Sequence, residues 1–343
     1  MNTCSNSVYL SVVIVSRNDD HGSRMFQRMR LCFDSLIRQL EKFKIPSELI
    51  LVEWLPPADK PLLRDVYPWP RNLEYVRIRV IVVPSTAIGD YDYTEEFAIR
   101  DLTPWNVAIR RAAGRFILST VADSLFSDAL IAYIADENLH AGKIYRIDRC
   151  DVNRAVLEIS SPEEWLAYCE GHIIDMHTLN PLKFLLKPKI PVLHDKAPGD
   201  FILMSRAIWH KIRGFPQGIA PGADHMLLYM AYLSGAQQEI MEKPLRLYHI
   251  DHDSSWKSPS YTLLRKLMIR WKIPFPLVDI LSHVGERLFP VKSEWEKKNL
   301  CQLSAQTAND YVAEMVGGKR SYIFNGEDWG LGHQNLEEFS VGH

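Results

Sequence analysis

Short apolar runs alternate along this chain with segments in which apolar residues recur every three or four positions. Four of the runs are rich in Val, Ile and Leu without polar alternation, which is typical of strands buried on both faces. They lie at 8–15, 48–53, 75–83 and 116–121. Apolar residues at helical spacing predict an amphipathic helix over 24–44, and Thr103-Pro104 predicts the capped start of a second helix that Gly114 would end.

This order of elements predicts an α/β unit with a mostly parallel sheet. Ligands of such open sheets bind beyond the carboxyl ends of the strands, so we expect function in the loops after positions 15, 52 and 121. The polar residues at these three places are Ser16, Arg17, Asn18, Glu53 and Asp123.

The second half of the chain is less regular. A helix is expected to start at Ser161, and a strand at 201–204 to lead into a helix capped by Ser205. Another strand is expected at 245–250, followed by mostly helical sequence over 258–320. The last 25 residues are rich in Gly, Asn and Glu and predict a surface tail.

Composition narrows the class of protein. The 343 residues include 40 Lys and Arg against 42 Asp and Glu, a net charge of −2 that argues against nucleic-acid binding through a broad basic surface. No apolar run approaches the roughly 18 residues of a membrane span, and the N-terminus lacks the basic start of a signal peptide. Five scattered cysteines favour free thiols in a reducing compartment, so we expect a cytoplasmic protein.

Two polar clusters are candidates for a metal site. Asp123 follows a buried strand, where a carboxylate is as often a cap or turn residue as a functional group. In an α/β nucleotide-binding unit it can instead hold a divalent metal that neutralises a diphosphate. The segment YHIDHD at 248–253 offers two histidines and two aspartates for the same ion, or forms a solvated turn with aspartate caps.

Two carboxylates in Gly-containing turns are candidates for acceptor chemistry. Asp200 follows Pro198-Gly199, and Asp224 follows Gly222-Ala223 at the start of an apolar helical run. Each is either a helix N-cap or half of a pair in which one carboxylate orients a hydroxyl and the other accepts its proton.

Together these segments resemble the nucleotide-sugar glycosyltransferases of the GT-A fold, particularly the family 2-like enzymes. The resemblance covers residues 9–256 and rests on seven segments in the family's order. They read VVIVSRNDDHG, ELILVEW, WNVAIRRAAGRFILST, VADSLFS, GDFILMSRAIWHKIRGFP, GADHMLLYMAYLSG and YHIDHDSSW. The resemblance implies a mixed, mostly parallel sheet flanked by helices. Its parts would be a donor-binding half at 1–125, an acceptor-binding half of the same domain at 126–257, and a helical C-terminal extension with a tail at 258–343.

The resemblance also implies site residues. Donor binding is expected at Ser16, Arg17, Asn18, Glu53, Asn106, Arg110, Ala122 and Asp123. Val121 stands where the family's Asp-x-Asp motif has its first carboxylate, so Mn²⁺ or Mg²⁺ would rest on Asp123 with His249 or His252 and the diphosphate. Asp200 resembles the acceptor-contacting turn, and Asp224 falls at the catalytic base of inverting members.

The implied reaction is metal-assisted, inverting transfer of a sugar, with a UDP-sugar as the first choice of donor, to a carbohydrate or other hydroxyl acceptor. Arg110 would help to stabilise the leaving diphosphate. The alternatives are a non-catalytic nucleotide-sugar binding module, a retaining glycosyltransferase, and a sugar nucleotidyltransferase. The last of these carries a Gly-rich basic loop that SRNDDHG lacks.

The basic residues after position 256 leave contact with a membrane surface open. They lie among Leu, Met and Trp residues, a composition that also suits a packed helix with a solvated basic face. The residues are Lys257, Arg265, Lys266, Arg270 and Lys272. The oligomeric state is left open.

Overall fold

A computed structural model describes residues 7–88, 102–179, 190–217, 222–252, 259–288 and 305–341. Its main sheet has eight strands in the order β10-β6-β9-β4-β1-β2-β3-β12. Their bounds are β1 Leu10–Ser16, β2 Ser47–Trp54, β3 Val76–Val83, β4 Phe116–Thr120, β6 Lys143–Ile147, β9 Phe201–Ser205, β10 Gln237–Met241 and β12 Glu337–Val341. Strands β3, β2, β1 and β4 are mutually parallel, whereas β9 and β12 run antiparallel to their neighbours. The mixed, mostly parallel α/β class expected from the sequence is therefore confirmed.

Both faces of this sheet are covered by helices, which explains why its strands show no polar alternation. On β1, Val12 and Ile14 pack into one apolar core and Val13 into the other, because successive side chains of a strand point to opposite faces. Helices α1 and α4 contribute to the first core, and α3, α6, α7 and α10 to the second. The helices span α1 Met25–Lys42, α2 Leu63–Val66, α3 Thr103–Arg111, α4 Asp128–Ala135, α5 Pro162–Gly171, α6 Arg206–Ile212, α7 Ala223–Leu233, α8 Pro259–Arg270, α9 Phe275–Leu288 and α10 Ala305–Val316.

A second sheet of four strands stands at the carboxyl end of β4. Its order is β5-β11-β7-β8, with β5 Ser124–Phe126, β7 Arg149–Val152, β8 Ile173–His177 and β11 Leu247–Ile250. The chain passes from β4 into β5 through residues 121–123 alone. This short connection places the small sheet at the edge where parallel sheets bind ligands.

Pairing in the small sheet aligns polar residues in one row. Ser124 of β5 pairs with His249 of β11, which pairs with Asp151 of β7, which in turn pairs with Asp175 of β8. Residues paired across neighbouring strands project to the same face of a sheet. One face of the small sheet therefore presents an imidazole and two carboxylates side by side.

The C-terminal end of the chain corrects one expectation. Instead of a tail, residues 337–341 form β12, which pairs antiparallel with β3 and closes that edge of the main sheet. Arg79 of β3 donates to Glu338 at 2.7 Å and to buried Glu48 at 2.8 Å, so the polar strand is held by charge as well as by backbone hydrogen bonds. The sequence EEFSV is too polar and too short to stand out as a strand before its partner is known.

Two helix boundaries also differ from expectation. Helix α3 ends at Arg111, three residues before Gly114, and Thr103 lies inside its first turn rather than capping it. The expected cap at Ser205 is confirmed, since its hydroxyl accepts from the backbone N–H of Ile208. Cys32, Cys150 and Cys169 are buried free thiols, as expected.

Helices α8 and α9 pack on each other, and α9 also contacts β8. Arg265 of α8 is buried and donates to the Asp175 carboxylate, with a distance of 2.7 Å from Nη2 to Oδ1. Arg265 is therefore an internal counterion and not part of a solvated basic face. Lys266, Arg270 and Lys272 are exposed, whereas Lys257 lies outside the described residues. No helix in the described part of the chain is long and apolar enough to cross a membrane.

Candidate active site

Asp123 lies in the connection between the two sheets, and its carboxylate meets two imidazoles. Its Oδ1 is 3.7 Å from Nε2 of His249, and its Oδ2 is 3.4 Å from Nε2 of His252. The three potential ligand atoms all lie within 4.8 Å of one another. The structure thus brings together the three residues that the sequence nominated for a metal, although 126 positions separate Asp123 from His249.

The carboxylate of Asp123 is also paired with Arg28 of α1, a fully buried arginine. Arg28 is held in place by the backbone carbonyl groups of His21, at 2.8 Å, and Ser23, at 3.1 Å. Burial opposes ionisation of Asp123, yet His249, His252 and Arg28 outweigh it, and the pKa of Asp123 lies below its ordinary value. Asp123 is therefore ionised and able to act as a ligand.

Behind His249 stands a second buried carboxylate, Asp151. Its Oδ1 is 3.1 Å from Nδ1 of His249 and 2.6 Å from Nε of Arg149, and its Oδ2 is 3.2 Å from Nε2 of His177. Burial raises the pKa of a carboxyl group, but here Arg149 and the two histidines more than compensate, and the pKa of Asp151 falls well below its ordinary value. Asp151 is thus a fixed negative charge shared by three neighbours.

Arg149 connects this group to the acceptor-side turn expected at Asp200. Its Nη1 is 2.7 Å from Oδ2 of Asp200, and Thr120 at the end of β4 donates to the Asp200 carbonyl at 2.7 Å. In the same turn, the Gly199 N–H donates to Oδ2 of Asp224 at 3.2 Å. Asp200, in the turn before β9, and Asp224, in the first turn of α7, therefore adjoin one another beside the strand ends.

The pKa of Asp224 is raised, first by burial and further by the negative charge of Asp200. Hydrogen bonds from the backbone N–H groups of His225, at 2.8 Å, and Gly199 work in the opposite direction. A carboxylate with a raised pKa is a better proton acceptor than one at its ordinary value, which suits a general base. These contacts fit the role expected of Asp224.

The expected donor loop lies at the ends of β1 and β2. Ser16 is buried, Arg17 is paired with Asp19, and the Asn18 side chain donates to the Pro61 carbonyl at 2.8 Å. Glu53 accepts the Leu63 N–H at 2.9 Å, and burial raises its pKa to about 7. Because Pro61 lies in the loop after β2, the hydrogen bond from Asn18 joins the two loops into one continuous patch.

Asn106 and Arg110, both expected to bind the donor, make their hydrogen bonds to other segments of the chain. Asn106 is fully buried and exchanges two hydrogen bonds with the backbone of Phe215, at 2.7 and 2.8 Å. Arg110 donates to the carbonyl groups of Glu327 and Trp329 at 2.7 and 2.9 Å. The polar groups of both side chains are thus used to hold other segments in place. Ala122 is buried in the apolar core next to Asp123 and offers a backbone only.

Three charged residues of this site were missed in the sequence, namely Arg28, Arg149 and Asp151. Each leaves a trace there. Arg28 interrupts the apolar face of α1 between Met25 and Leu31, and Arg149 and Asp151 occupy alternate positions of the short strand RCDV. A charged residue at a position that hydrophobic periodicity assigns to a buried face requires a partner of opposite charge. The sequence does not identify that partner, because it comes from a distant segment of the chain.

No family model matches the chain, and no curated protein resembles it in sequence. Similar solved structures include residues 1–349 of S. aureus TarS in complex with UDP-GlcNAc, with 16% identity, a TM-score of 0.47, and coverage of 91% of this chain and 83% of that one. GalNAc-T7 with UDP, GalNAc and Mn²⁺ is 14% identical, with a TM-score of 0.46 and coverage of 92% of this chain and 59% of that one.

A longer TarS structure is matched with 15% identity and a TM-score of 0.43, and this chain spans 43% of its length. At such distances in sequence and shape, the function has to rest on the site of this chain.

Proposed function

We propose that this chain transfers a sugar from a nucleotide-diphosphate sugar, with UDP-sugars as the first choice of donor, to a hydroxyl acceptor. The observation that carries the proposal is the convergence of Asp123, His249 and His252 at the carboxyl edge of the main sheet. The patch formed by Asn18 and Glu53 follows neighbouring strands of the same sheet, as a nucleotide base and ribose would require.

The side chains of Asp123, His249 and His252 suit a divalent metal as ligands. One ionised carboxylate and two imidazoles provide three ligands, which leaves positions for diphosphate oxygens. The two nitrogen ligands favour Mn²⁺ over Mg²⁺, because Mg²⁺ prefers oxygen donors. When bound, the metal would act as a Lewis acid that neutralises the charge of the leaving diphosphate.

The protein's own part in the reaction falls to the two acceptor-side carboxylates. Asp224, with its raised pKa, accepts the proton of the acceptor hydroxyl as that oxygen bonds to the anomeric carbon and the bond from this carbon to the diphosphate breaks. Asp200, held by Arg149, positions the acceptor. Attack from the face opposite the leaving group inverts the anomeric carbon. Arg110 is given no role here, because its guanidinium is bonded to Glu327 and Trp329.

Thermal unfolding with nucleotides is the direct test. A ligand that binds only the folded state stabilises it by about 2.7 kcal/mol at roughly 100 times its dissociation constant. We expect UDP to raise the melting temperature in the presence of Mn²⁺ and much less in its absence. Asp123→Asn should remove the metal-dependent part, whereas Asp136→Asn, a change at an exposed aspartate, should keep it.

The outcomes separate the parts of the proposal. A shift with GDP and not UDP would change the donor, and a shift independent of metal would remove the metal from the mechanism. No shift with UDP, GDP, CMP or dTDP would overturn nucleotide-sugar binding. Binding without release of nucleotide from any donor sugar, in assays with carbohydrate acceptors and with water, would favour a binding module.

A further inference from the structure

The ring of His249 lies between two carboxylates. Nε2 is 3.7 Å from the Asp123 carboxylate, and Nδ1 is 3.1 Å from the Asp151 carboxylate but is not aligned for a hydrogen bond to it. All three residues are buried. A neutral imidazole carries its hydrogen on one nitrogen and a lone pair on the other. Because Asp151 is nearer to Nδ1 than Asp123 is to Nε2, the form with its hydrogen on Nδ1 and its lone pair on Nε2 is favoured.

The small sheet makes this contact a property of the fold rather than of a flexible side chain. His249 and Asp151 are directly paired residues of parallel strands β11 and β7. Asp151 is in turn fixed by Arg149 at 2.6 Å and His177 at 3.2 Å. The carboxylate cannot turn away from His249 without giving up these partners inside a buried region, which is costly for a charged group.

We propose that Asp151 is the positioning residue of the metal site: a small rotation of the His249 ring lets Asp151 accept the Nδ1–H, which aims Nε2 at the ion shared with Asp123. This inference rests on the proposed function, because it concerns the same metal. A carboxylate behind a metal-bound histidine orients the ring and raises its basicity, and its removal commonly costs 10- to 100-fold in metal affinity.

Arg149 links Asp151 to the acceptor-side carboxylate Asp200. Arg149 bridges Asp151, at 2.6 Å, and Asp200, at 2.7 Å, with all three residues buried. One guanidinium therefore sets the position of the carboxylate behind the metal ligand and that of the carboxylate expected to hold the acceptor. We expect Asp151 to affect metal affinity through His249 and acceptor binding through Arg149.

Mn²⁺ affinity, measured in the presence of UDP by the electron paramagnetic resonance signal of the free ion, tests the proposal. Asp151→Asn should weaken binding by about 10- to 100-fold. Asp175→Asn is the matched control, because Asp175 lies next to Asp151 in the same row, does not contact His249 and is paired with Arg265. We expect its affinity to stay within about twofold of the unchanged protein. A larger loss for Asp175→Asn than for His252→Gln would place the ion at Asp151, Asp175 and His177 and overturn the proposal.

A double-mutant cycle separates positioning from general damage. Once His249→Gln has removed the ring, Asp151→Asn should cause little additional loss of Mn²⁺ affinity, because the imidazole that Asp151 orients is no longer present. An equal loss in both backgrounds would mean that Asp151 acts in some other way. Circular dichroism of each variant confirms that the folded protein is being compared.

Nitrogen NMR of the unchanged protein keeps the test open if Asp151→Asn does not fold. Once the His249 ring of the metal-free protein is neutral, its single hydrogen should lie on Nδ1. A single hydrogen on Nε2 would overturn the inference. Absence of any Mn²⁺ binding by the unchanged protein, with the Nδ1 hydrogen present, would instead count against the proposed metal and leave the contact with Asp151 standing.

Discussion

The two sheets of this protein differ in the share of apolar and charged residues that they bury. The main sheet buries Val, Ile and Leu on both faces, and Leu118 of its central strand β4 is an example. The small sheet buries Arg149, Asp151 and His249 on strands nearly as inaccessible to water. Apolar burial stabilises the fold on its own, whereas buried charge is tolerated only with partners. The main sheet is therefore mainly the frame, and the small sheet adds the buried Arg149, Asp151 and His249 of the site.

The largest expected effect is on catalysis and not on the frame. Asp224→Asn should lower the rate of nucleotide release from the donor sugar by about 10²- to 10⁴-fold, because a general base contributes about that much. Donor binding in the thermal assay should persist. Loss of both activity and binding would make Asp224 a structural residue, and full activity would remove it as the base.

The frame should respond to loss of apolar volume. Leu118→Ala in β4 should lower the free energy of unfolding by about 2 to 5 kcal/mol, since the residue is buried and a cavity would remain. His252→Gln, at the partly exposed edge of the site, should cost less than about 1 kcal/mol while weakening metal binding. Urea unfolding measures both changes. Equal losses of stability for Leu118→Ala and His252→Gln would contradict the division into a stabilising frame and a functional site.

The loops after β1 and β2, which we expect to bind the donor, should make the free energy of unfolding depend on pH. The pKa of Glu53 is raised by burial from 4.5 to about 7, so the folded state holds a proton that the unfolded state has released. The raised pKa of Glu53 therefore contributes to the free energy of unfolding below about pH 4.5. This contribution, roughly 2 to 3 kcal/mol, is lost as the pH rises through about 7.

Glu53→Gln should therefore flatten the decline in stability between pH 5 and pH 8, as measured by urea unfolding. Glu242→Gln, at an exposed glutamate, should leave the decline unchanged. A profile that is the same for all three proteins would show that Glu53 is ionised throughout this range.

The smallest effect concerns the hairpin of α8 and α9. Leu263, Leu264, Leu267 and Trp271 are exposed along one side of α8 and its end, with Lys266 and Arg270 next to them. If the hairpin binds anionic vesicles, as the sequence left open, Trp271→Ser should reduce co-sedimentation several-fold. Ile323→Ser, at an exposed apolar residue elsewhere, should not. No binding by the unchanged protein would exclude the membrane contact.

Much of the frame could be predicted from the sequence because its signals are local. The apolar runs around Val12 and Leu49 indicate buried strands, and the periodicity of 24–44 indicates α1, whatever the rest of the chain does. The strand at 337–341 could not be predicted in this way, because its partner is β3, more than 250 residues earlier.

The candidate site was predictable only in part. Asp123, His249 and His252 were nominated by residue type and by position after strands, and the structure brings them together. Asn106 and Arg110 were nominated by resemblance, but their hydrogen bonds are made to Phe215 and to Glu327 and Trp329. A motif identifies a residue but not the direction in which its side chain turns.

By itself, the sequence determined the α/β class, the main strands and the residue types available for metal and acceptor chemistry. Hydrophobic periodicity determines these features over short distances along the chain. Only the tertiary structure decided that Asp151 stands behind His249 and that Arg149 joins it to Asp200. Charged groups are selected by the partners they meet inside the protein, and strand pairing between distant segments creates those partners.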